Sequence, residues 1–402
     1  MTTYDVAIAG AGPGGSATAC RLARAGLRVV LVDRAEFPRD KACSEYMSPE
    51  GVRHLASLGA LEQVERQGGH PIRGTTVHAP RGSSLTGIFA RAGHAPFRET
   101  GLSVARRILD QALLDAARRA GAELLERTAV HGVLRDGPAV KGLLLRDAAG
   151  ATRELPARLT IGADGLRSVV ARALGPQRSG PLRRYALVAH VAEVAGLGDT
   201  AELHVTARGY VGLNPLGGGI ANVAIVLPQA RMRPSRGRVP QFFFEELARF
   251  SGVGPRVRQS NLVRDVLVTG PFAARAAKLT APGALLVGDA ADFFDPFTGE
   301  GICAALRGAE LVEAAMLEPL TRGGPLPAAA FRSYVRARRR AFLGKWMVER
   351  LIGYAMLAPA LFDRAVARLE RHGLAHTLIG VTGDFVPPRA VLNPVFLSRV
   401  VF

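Results

Sequence analysis

Cysteine, tryptophan and lysine are scarce in this chain. Its 402 residues hold three cysteines, Cys20, Cys43 and Cys303, far apart and without a CxxC spacing. That excludes a disulfide framework and a zinc ribbon, and predicts a reducing, cytoplasmic setting. The single tryptophan is Trp346, and only four lysines accompany 48 arginines. Long apolar runs are missing too. Residues 351–362 form the longest, flanked by Arg350 and Asp363, well short of the roughly 20 residues a spanning helix needs. The N-terminal apolar run leads into a glycine motif, so no secretory signal is read there. His372 and His376 stand at i, i+4 with no third ligand, and neither a Gly-x-Ser-x-Gly elbow nor a P-loop occurs; no metal is expected.

Positive charge is abundant. Lys+Arg outnumber Asp+Glu by 52 to 34, giving a net charge of +18 and a pI of about 11.1. That balance admits an anionic membrane, nucleic acid or an acidic ligand, or it reflects an arginine-biased codon usage. Nucleic acid is disfavoured because no basic motif interleaved with aromatics occurs. With 48% hydrophobic residues and a mean hydropathy of +0.14 the bulk of the chain folds, and its length suggests two to three lobes.

Residues 4–9 and 28–32 are short apolar runs separated by Gly10-Ala11-Gly12-Pro13-Gly14-Gly15 and a helical pattern over 16–25. Strand, glycine turn, helix, strand is the opening of a doubly wound sheet that binds a dinucleotide. Gly10 permits the tight turn, Gly12 lets the backbone approach a pyrophosphate, and Gly15 lets helix and strand pack closely. Asp33, ending the second strand, is placed to accept from ribose hydroxyls. Two further strand ends carry Gly and Asp: residues 162–168 with Asp164, and residues 286–291 with Gly288 and Asp289, the latter followed by Asp295-Pro296-Phe297-Thr298-Gly299-Glu300-Gly301-Ile302. In a parallel sheet all three converge on one edge, and a single ligand touching all of them is FAD rather than NAD.

From about 185 to 268 the runs alternate or are β-branched between Gly, Pro and Asn turns, which predicts an antiparallel sheet. The fold class expected is therefore α/β. A Rossmann-like FAD-binding domain (1–75, 100–180 and 270–325) carries an inserted, mostly antiparallel β substrate domain (76–99 and 181–269) and a C-terminal helical region (326–402).

The three motifs in this order resemble the FAD-dependent oxidoreductases of the para-hydroxybenzoate hydroxylase fold. The Asp-Pro-Phe-Thr-Gly-Glu-Gly-Ile form, the loop Pro38-Arg39-Asp40-Lys41-Ala42-Cys43, and Gly209-Tyr210 through Pro215 with Asn222-Val223 resemble its geranylgeranyl reductase branch. The resemblance implies FAD with NADH or NADPH as electron donor. It assigns Gly10, Gly12, Pro13, Gly14, Gly15, Asp33, Arg34, Lys41, Arg106, Val130, Asp164, Gly288, Asp289, Pro296, Gly299, Gly301 and Ile302 to the cofactor. Asp289 is expected on the ribityl chain, Arg106 near the pyrophosphate, and the helix N-terminus after Gly299 beside the flavin pyrimidine.

The branch usually has Gly-Gly after the loop cysteine, whereas Cys43 is followed here by Ser44, Glu45 and Tyr46. Cys43, Glu45 and Tyr46 are the candidates for proton transfer, each against a structural reading. His190 and His204 are read as hydrogen-bonded structural groups. Two chemistries compete for a hydrophobic small molecule: hydride transfer from reduced flavin to a C=C bond, favoured by the Thr-Gly-Glu-Gly form, and monooxygenation of an aromatic or polyketide-like substrate. A non-catalytic electron carrier is the third reading. The usual halogenase tryptophan pair is missing.

Residues 331–402 carry twelve basic against four acidic side chains. Phe331, Tyr334, Val335, Phe342 and Trp346 recur at helical intervals beside Arg336, Arg338, Arg339 and Arg340. Such a face either docks on anionic lipid or packs on the protein with its arginines solvated.

Overall fold

Two sheets of opposite character organise the protein, whose computed structural model describes residues 4–235 and 237–401. The first has eight strands. Its main path runs Thr280–Ala281, Ala284–Leu286, Thr152–Gly162, Tyr4–Ala9, Val29–Val32, Glu123–Leu125, and the hairpin of Ala129–Asp136 and Ala139–Arg146 joins it along Thr152–Gly162. Its centre is parallel, with Val6 opposite Val29 on one side and Leu159 on the other. These strands are unbroken apolar runs because both faces are covered. Val6, Ile8, Leu31 and Ile161 pack under helices Pro13–Arg24, Arg106–Arg119 and Gly301–Arg322. Ala7, Val30 and Val32 pack on the other side with Val133, Val140, Leu143 and Val170.

The second sheet has seven strands, in the order Leu262–Thr269, Arg184–Ala192, Ile220–Pro228, Gly209–Gly217, Ala201–Thr206, Gly74–His78, Ser84–Ile88. Neighbours are antiparallel except Ala201–Thr206 beside Gly74–His78. The period of two sorts its side chains. Leu187, Ala189, Val191, Val223 and Ile225 face Phe243 and Phe250 of the segment around helix Val239–Leu247. Ala186, Val188, Tyr210 and Val226 face the opposite way, toward Phe272 and the tail residues Phe362 and Val366.

The tail consists of helices Arg332–Ala355, Pro359–Arg371, Ala375–Thr382 and Pro394–Val401. Of the two readings of the apolar repeat, lipid-facing or packed on the protein, most of it takes the packed one. Phe331, Tyr334 and Phe342 lie in the same core as Val6 and Ile8, and the Tyr334 hydroxyl donates to the Leu286 carbonyl at 2.7 Å. Arg338, on the same helix, is buried over the Phe342 ring and bonds Asp292 at 2.9 Å. The expected arginine is thus spent inside the protein, because the aromatic side of this helix is the side that covers the sheet lobe. Only Val335 of that apolar repeat is exposed, with Trp346 half-buried. Among the described residues no helix is long and apolar enough to cross a membrane.

Candidate functional site

Three loops at the end of the parallel strands meet at a cavity of about 510 Å³. Gly12, Pro13 and Gly14 line it from the first turn, Asp164 from the second, and Gly288 and Asp289 from the third. Arg34, Lys41 and Arg106 close the charged side, while Pro296, Gly299, Gly301 and Ile302 face them. Gly10 and Gly15 stand behind the wall and make it possible. A Cβ on Gly15 would sit 1.9 Å from the Gly10 carbonyl oxygen, and Gly10 itself has φ +96 with Ala163 pressed against it.

No side chain caps the helix that begins after Gly12. A Cβ added at Gly12 would meet nothing closer than the guanidinium groups of Arg39 and Arg106, at 3.8 and 3.9 Å. An open helix N-terminus flanked by two arginines is the arrangement a diphosphate requires, so the residues present fit FAD. Both arginines are held by one buried acid. Arg106 donates twice to Asp110 at 2.8 Å, and Arg39 lies 3.0 Å from the same carboxylate. Burial pushes the Lys41 ammonium below its ordinary range and the Asp289 and Asp164 carboxyls above theirs.

Asp33 is not on the cavity wall. Its carboxylate accepts from the Ala11 and Ala35 N–H groups, each at 2.9 Å, and so ties the glycine turn to the next loop. Asp164 accepts from Val169 N, which caps helix Val169–Leu174, while its Oδ1 has no partner. Val130 lies apart from the cavity. It pairs with Leu145 in the outer hairpin, packs with Val133 and Leu143, and stands two residues beyond Thr128, whose N–H donates to the Asp33 carbonyl at 3.0 Å.

Of the three proton-transfer candidates, Cys43 and Tyr46 line the cavity. Glu45 does not, and of its two readings, proton transfer or a structural role, its contacts favour the structural one. It is fully buried at φ +59, accepts from Arg106 N at 2.8 Å and from Asn222 Nδ2 at 2.8 Å, lies 2.5 Å from His190 Nε2, and has Arg264 at 3.7 Å. Three hydrogen bonds and an ion pair tie this carboxylate to the elements around it, so it clamps the loop. Asn222 and Asn214, which pair across neighbouring strands, complete the clamp by donating to the carbonyls of Cys43 and Ser44 at 2.8 and 3.0 Å. Tyr46 shares a hydrogen bond with Thr75 at 3.3 Å, and burial raises its hydroxyl far above the ordinary range, so it stays protonated.

Beyond the loop the cavity runs along the second sheet, between Val188, Leu203, Leu213, Val226, Leu267 and Phe297. Its floor is fixed by Asp295, which accepts from Tyr210 at 2.5 Å, Arg184 at 2.8 Å and Phe297 N at 3.1 Å. Glu300, the N-cap of Gly301–Arg322, is buried with Ser48 donating to it at 3.2 Å; burial pushes its carboxyl up to about 8 against the nearby Lys345. Lys345 keeps its charge despite burial because Asp384 lies 3.4 Å away and Glu300 is near. Sequence reading missed Lys345 as a member of this site, and touched Arg39, Asp110, Asn214 and Asp295 without giving them a role. Asn222 and Tyr210 were noticed only as part of a motif.

His204 and His190 are both hydrogen-bonded, as read from sequence. The ligand atoms of His78, Glu202 and His204 lie within 4.8 Å of one another, yet Glu202 already takes both nitrogens of Arg256 and the His204 Nε2 at 2.8 Å. His376 spends its Nδ1 on the Ile88 N–H at 3.0 Å.

The chain is similar to digeranylgeranylglycerophospholipid reductase of Methanosarcina mazei, 29% identical over 80% of this chain and 76% of that protein. It is likewise similar to menaquinone reductase of Mycolicibacterium smegmatis, 30% identical over 80% of this chain and 78% of that one. Among solved structures, a flavoprotein/dehydrogenase from Cytophaga hutchinsonii shares the fold, with a TM-score of 0.83 at 20% identity over 99% of this chain and 96% of that chain. The flavin-dependent halogenase CmlS also matches, with a TM-score of 0.75 at 26% identity over 86% of this chain and 63% of its own, so the architecture serves several reactions. A family model described as an FAD binding domain matches residues 3–342, and the chain belongs to that family: it is an FAD-dependent oxidoreductase of the para-hydroxybenzoate hydroxylase fold, in its geranylgeranyl reductase-like branch.

Proposed function

We propose that the enzyme reduces a C=C bond of a hydrophobic, isoprenoid-like molecule, with NADH or NADPH as electron donor. The observation that carries this reading is the continuity of one cavity from the charged glycine cradle into an apolar trough along the second sheet. Bound FAD supplies the hydride. Gly12, Gly14, Arg39 and Arg106 would take its diphosphate, Asp289 its ribityl chain, and the N-terminus of Gly301–Arg322 its pyrimidine edge, where a positive helix end favours negative charge. Val188, Leu203, Leu213 and Leu267 exclude water and hold the substrate chain. The proton for the second carbon comes from Cys43 or Tyr46, which the Glu45 clamp holds on the wall.

In this reading residues 1–75, 100–180 and 270–325 hold the cofactor, 76–99 and 181–269 the substrate, and the basic tail touches the membrane from the cytoplasmic side. The names of the two relatives, reductases of a polyprenyl lipid and of a prenylated quinone, support an isoprenoid chain over an aromatic core. The test is anaerobic. Flavin reduced without oxygen is mixed with polyprenyl lipids and prenylquinones, and substrate-dependent reoxidation with a saturated product is the expected result. Reoxidation only on admitting oxygen, with an oxygenated product, would establish the monooxygenase instead. Reoxidation by a protein acceptor alone would leave an electron carrier.

A further inference from the structure

Large apolar side chains scattered singly over a surface need no explanation, but a contiguous group does. Twelve are exposed among the described residues, and six fall between 343 and 361: Leu343 at 44%, Met347 at 52%, Leu351 at 52%, Tyr354 at 46%, Leu357 at 58% and Leu361 at 49%. The first four recur at i, i+4, i+8 and i+11 and therefore form one stripe along helix Arg332–Ala355. Leu357 follows in the turn, its N–H bonded to the Tyr354 carbonyl at 3.0 Å, and Leu361 opens the next helix. Among the described residues none covers this stripe. It is distinct from Phe331, Tyr334 and Phe342, which point into the core.

The same helix has exposed Arg332, Arg336, Arg339 and Arg340 in its earlier turns. Its only acid, Glu349, is half-buried and lines a cavity beneath the helix. The outward face thus passes from basic to apolar along its length. We propose that this face seats the protein on an anionic lipid bilayer, with the side chains from Leu343 to Leu361 entering the acyl region and the four arginines at the phosphates. The inference rests on the membrane contact suggested above and names the surface that makes it. Charge complementarity selects the occupant. A second copy would bring a net charge of +18 against its like, whereas anionic headgroups neutralise the arginines.

One consequence concerns access. The inward side of this helix, through Arg338, Lys345 and Trp346, lines a second cavity of about 290 Å³ whose walls Asp289, Thr298 and Gly301 also belong to the cofactor cavity. Tyr354 belongs both to the stripe and to that lining. Docking therefore brings this second cavity to the lipid surface.

The test is co-sedimentation of the FAD-loaded enzyme with vesicles of phosphatidylcholine alone or mixed with phosphatidylglycerol. The wild type is expected on the mixed vesicles, with binding weakened by salt. Met347→Gln with Leu351→Gln, both at positions more than half exposed, should retain flavin absorbance and lose roughly tenfold or more in partitioning. Arg336→Gln with Arg339→Gln and Arg340→Gln should lose the preference for anionic lipid. Equal binding by the wild type and the Met347/Leu351 variant would overturn the stripe while leaving a membrane contact elsewhere; no binding by the wild type would overturn both. A dimer in sedimentation velocity that the same pair of substitutions dissolves, without vesicle binding, would make this a self-association surface instead.

Discussion

The two ends of the main cavity are made of different material. At the cofactor end the wall is built on main chain, from glycine turns and two helix N-termini, braced from behind by Asp33, whose carboxylate is spent on backbone N–H groups. At the substrate end the wall is side chains from strands that lie far apart in sequence, over a clamp of Glu45, Asn214 and Asn222. The turn behind the main-chain wall tolerates no added atom at Gly15, whereas a side-chain wall can be reshaped one residue at a time. That difference is one way a single architecture can house reductases and a halogenase.

The contrast is broken most sharply at Gly15. A Cβ there would collide with the Gly10 carbonyl, so Gly15→Ala should cost about 4 kcal/mol or more and abolish flavin binding, as seen by denaturation and absorbance. Glu45→Ala is next. It strands His190 in the interior and leaves Arg264 with Asp40 alone, and about 3 kcal/mol of stability should go, with kcat falling because Cys43 and Tyr46 lose their fixed position.

The pH dependence of Glu300 gives a third contrast. Its folded carboxyl titrates near 8 rather than at its ordinary 4.5, so the native state binds that proton more tightly than the unfolded chain. The stability it contributes is complete below about 4.5 and is lost as pH climbs to about 8. Between pH 6 and 9 the melting temperature of Glu300→Gln should therefore fall less than that of the wild type, by about 2 °C or more. An equal fall in both would remove Glu300 from the account. The mildest test lies in the trough. Leu267→Trp should leave flavin content unchanged and raise KM for a long polyprenyl substrate about tenfold, or about 1.4 kcal/mol. Loss of flavin in that variant would show the two ends to be coupled.

This division also marks what could be read from sequence. The glycine turns, Asp164, Asp289 and the antiparallel texture of 185–268 were legible because local spacing dictates backbone geometry directly. Gly10 and Gly15 are neighbours in the chain as well as in space. The clamp was not legible: Glu45 meets His190 across 145 positions and Asn222 across 177, and nothing local in either strand marks which partner it will find. Glu45 looked like an acid over the flavin because its place in the loop was readable while its direction was not; that direction is set by a left-handed backbone at a residue other than glycine. The tail left two alternatives open for a related reason. A helix with aromatics on one side and leucines on the other is apolar twice over, and composition does not say which side the sheet lobe takes.

Tyr334 carries a last consequence. Its ring is at the centre of the cofactor lobe's core and its hydroxyl reaches the strand that leads to Gly288, although it sits in the segment that would be trimmed as an appendage. The tail is therefore part of the unit that melts. The chain should unfold in one cooperative step, and a fragment ending near residue 325 should be unable to hold its flavin even though every glycine of the cradle remains.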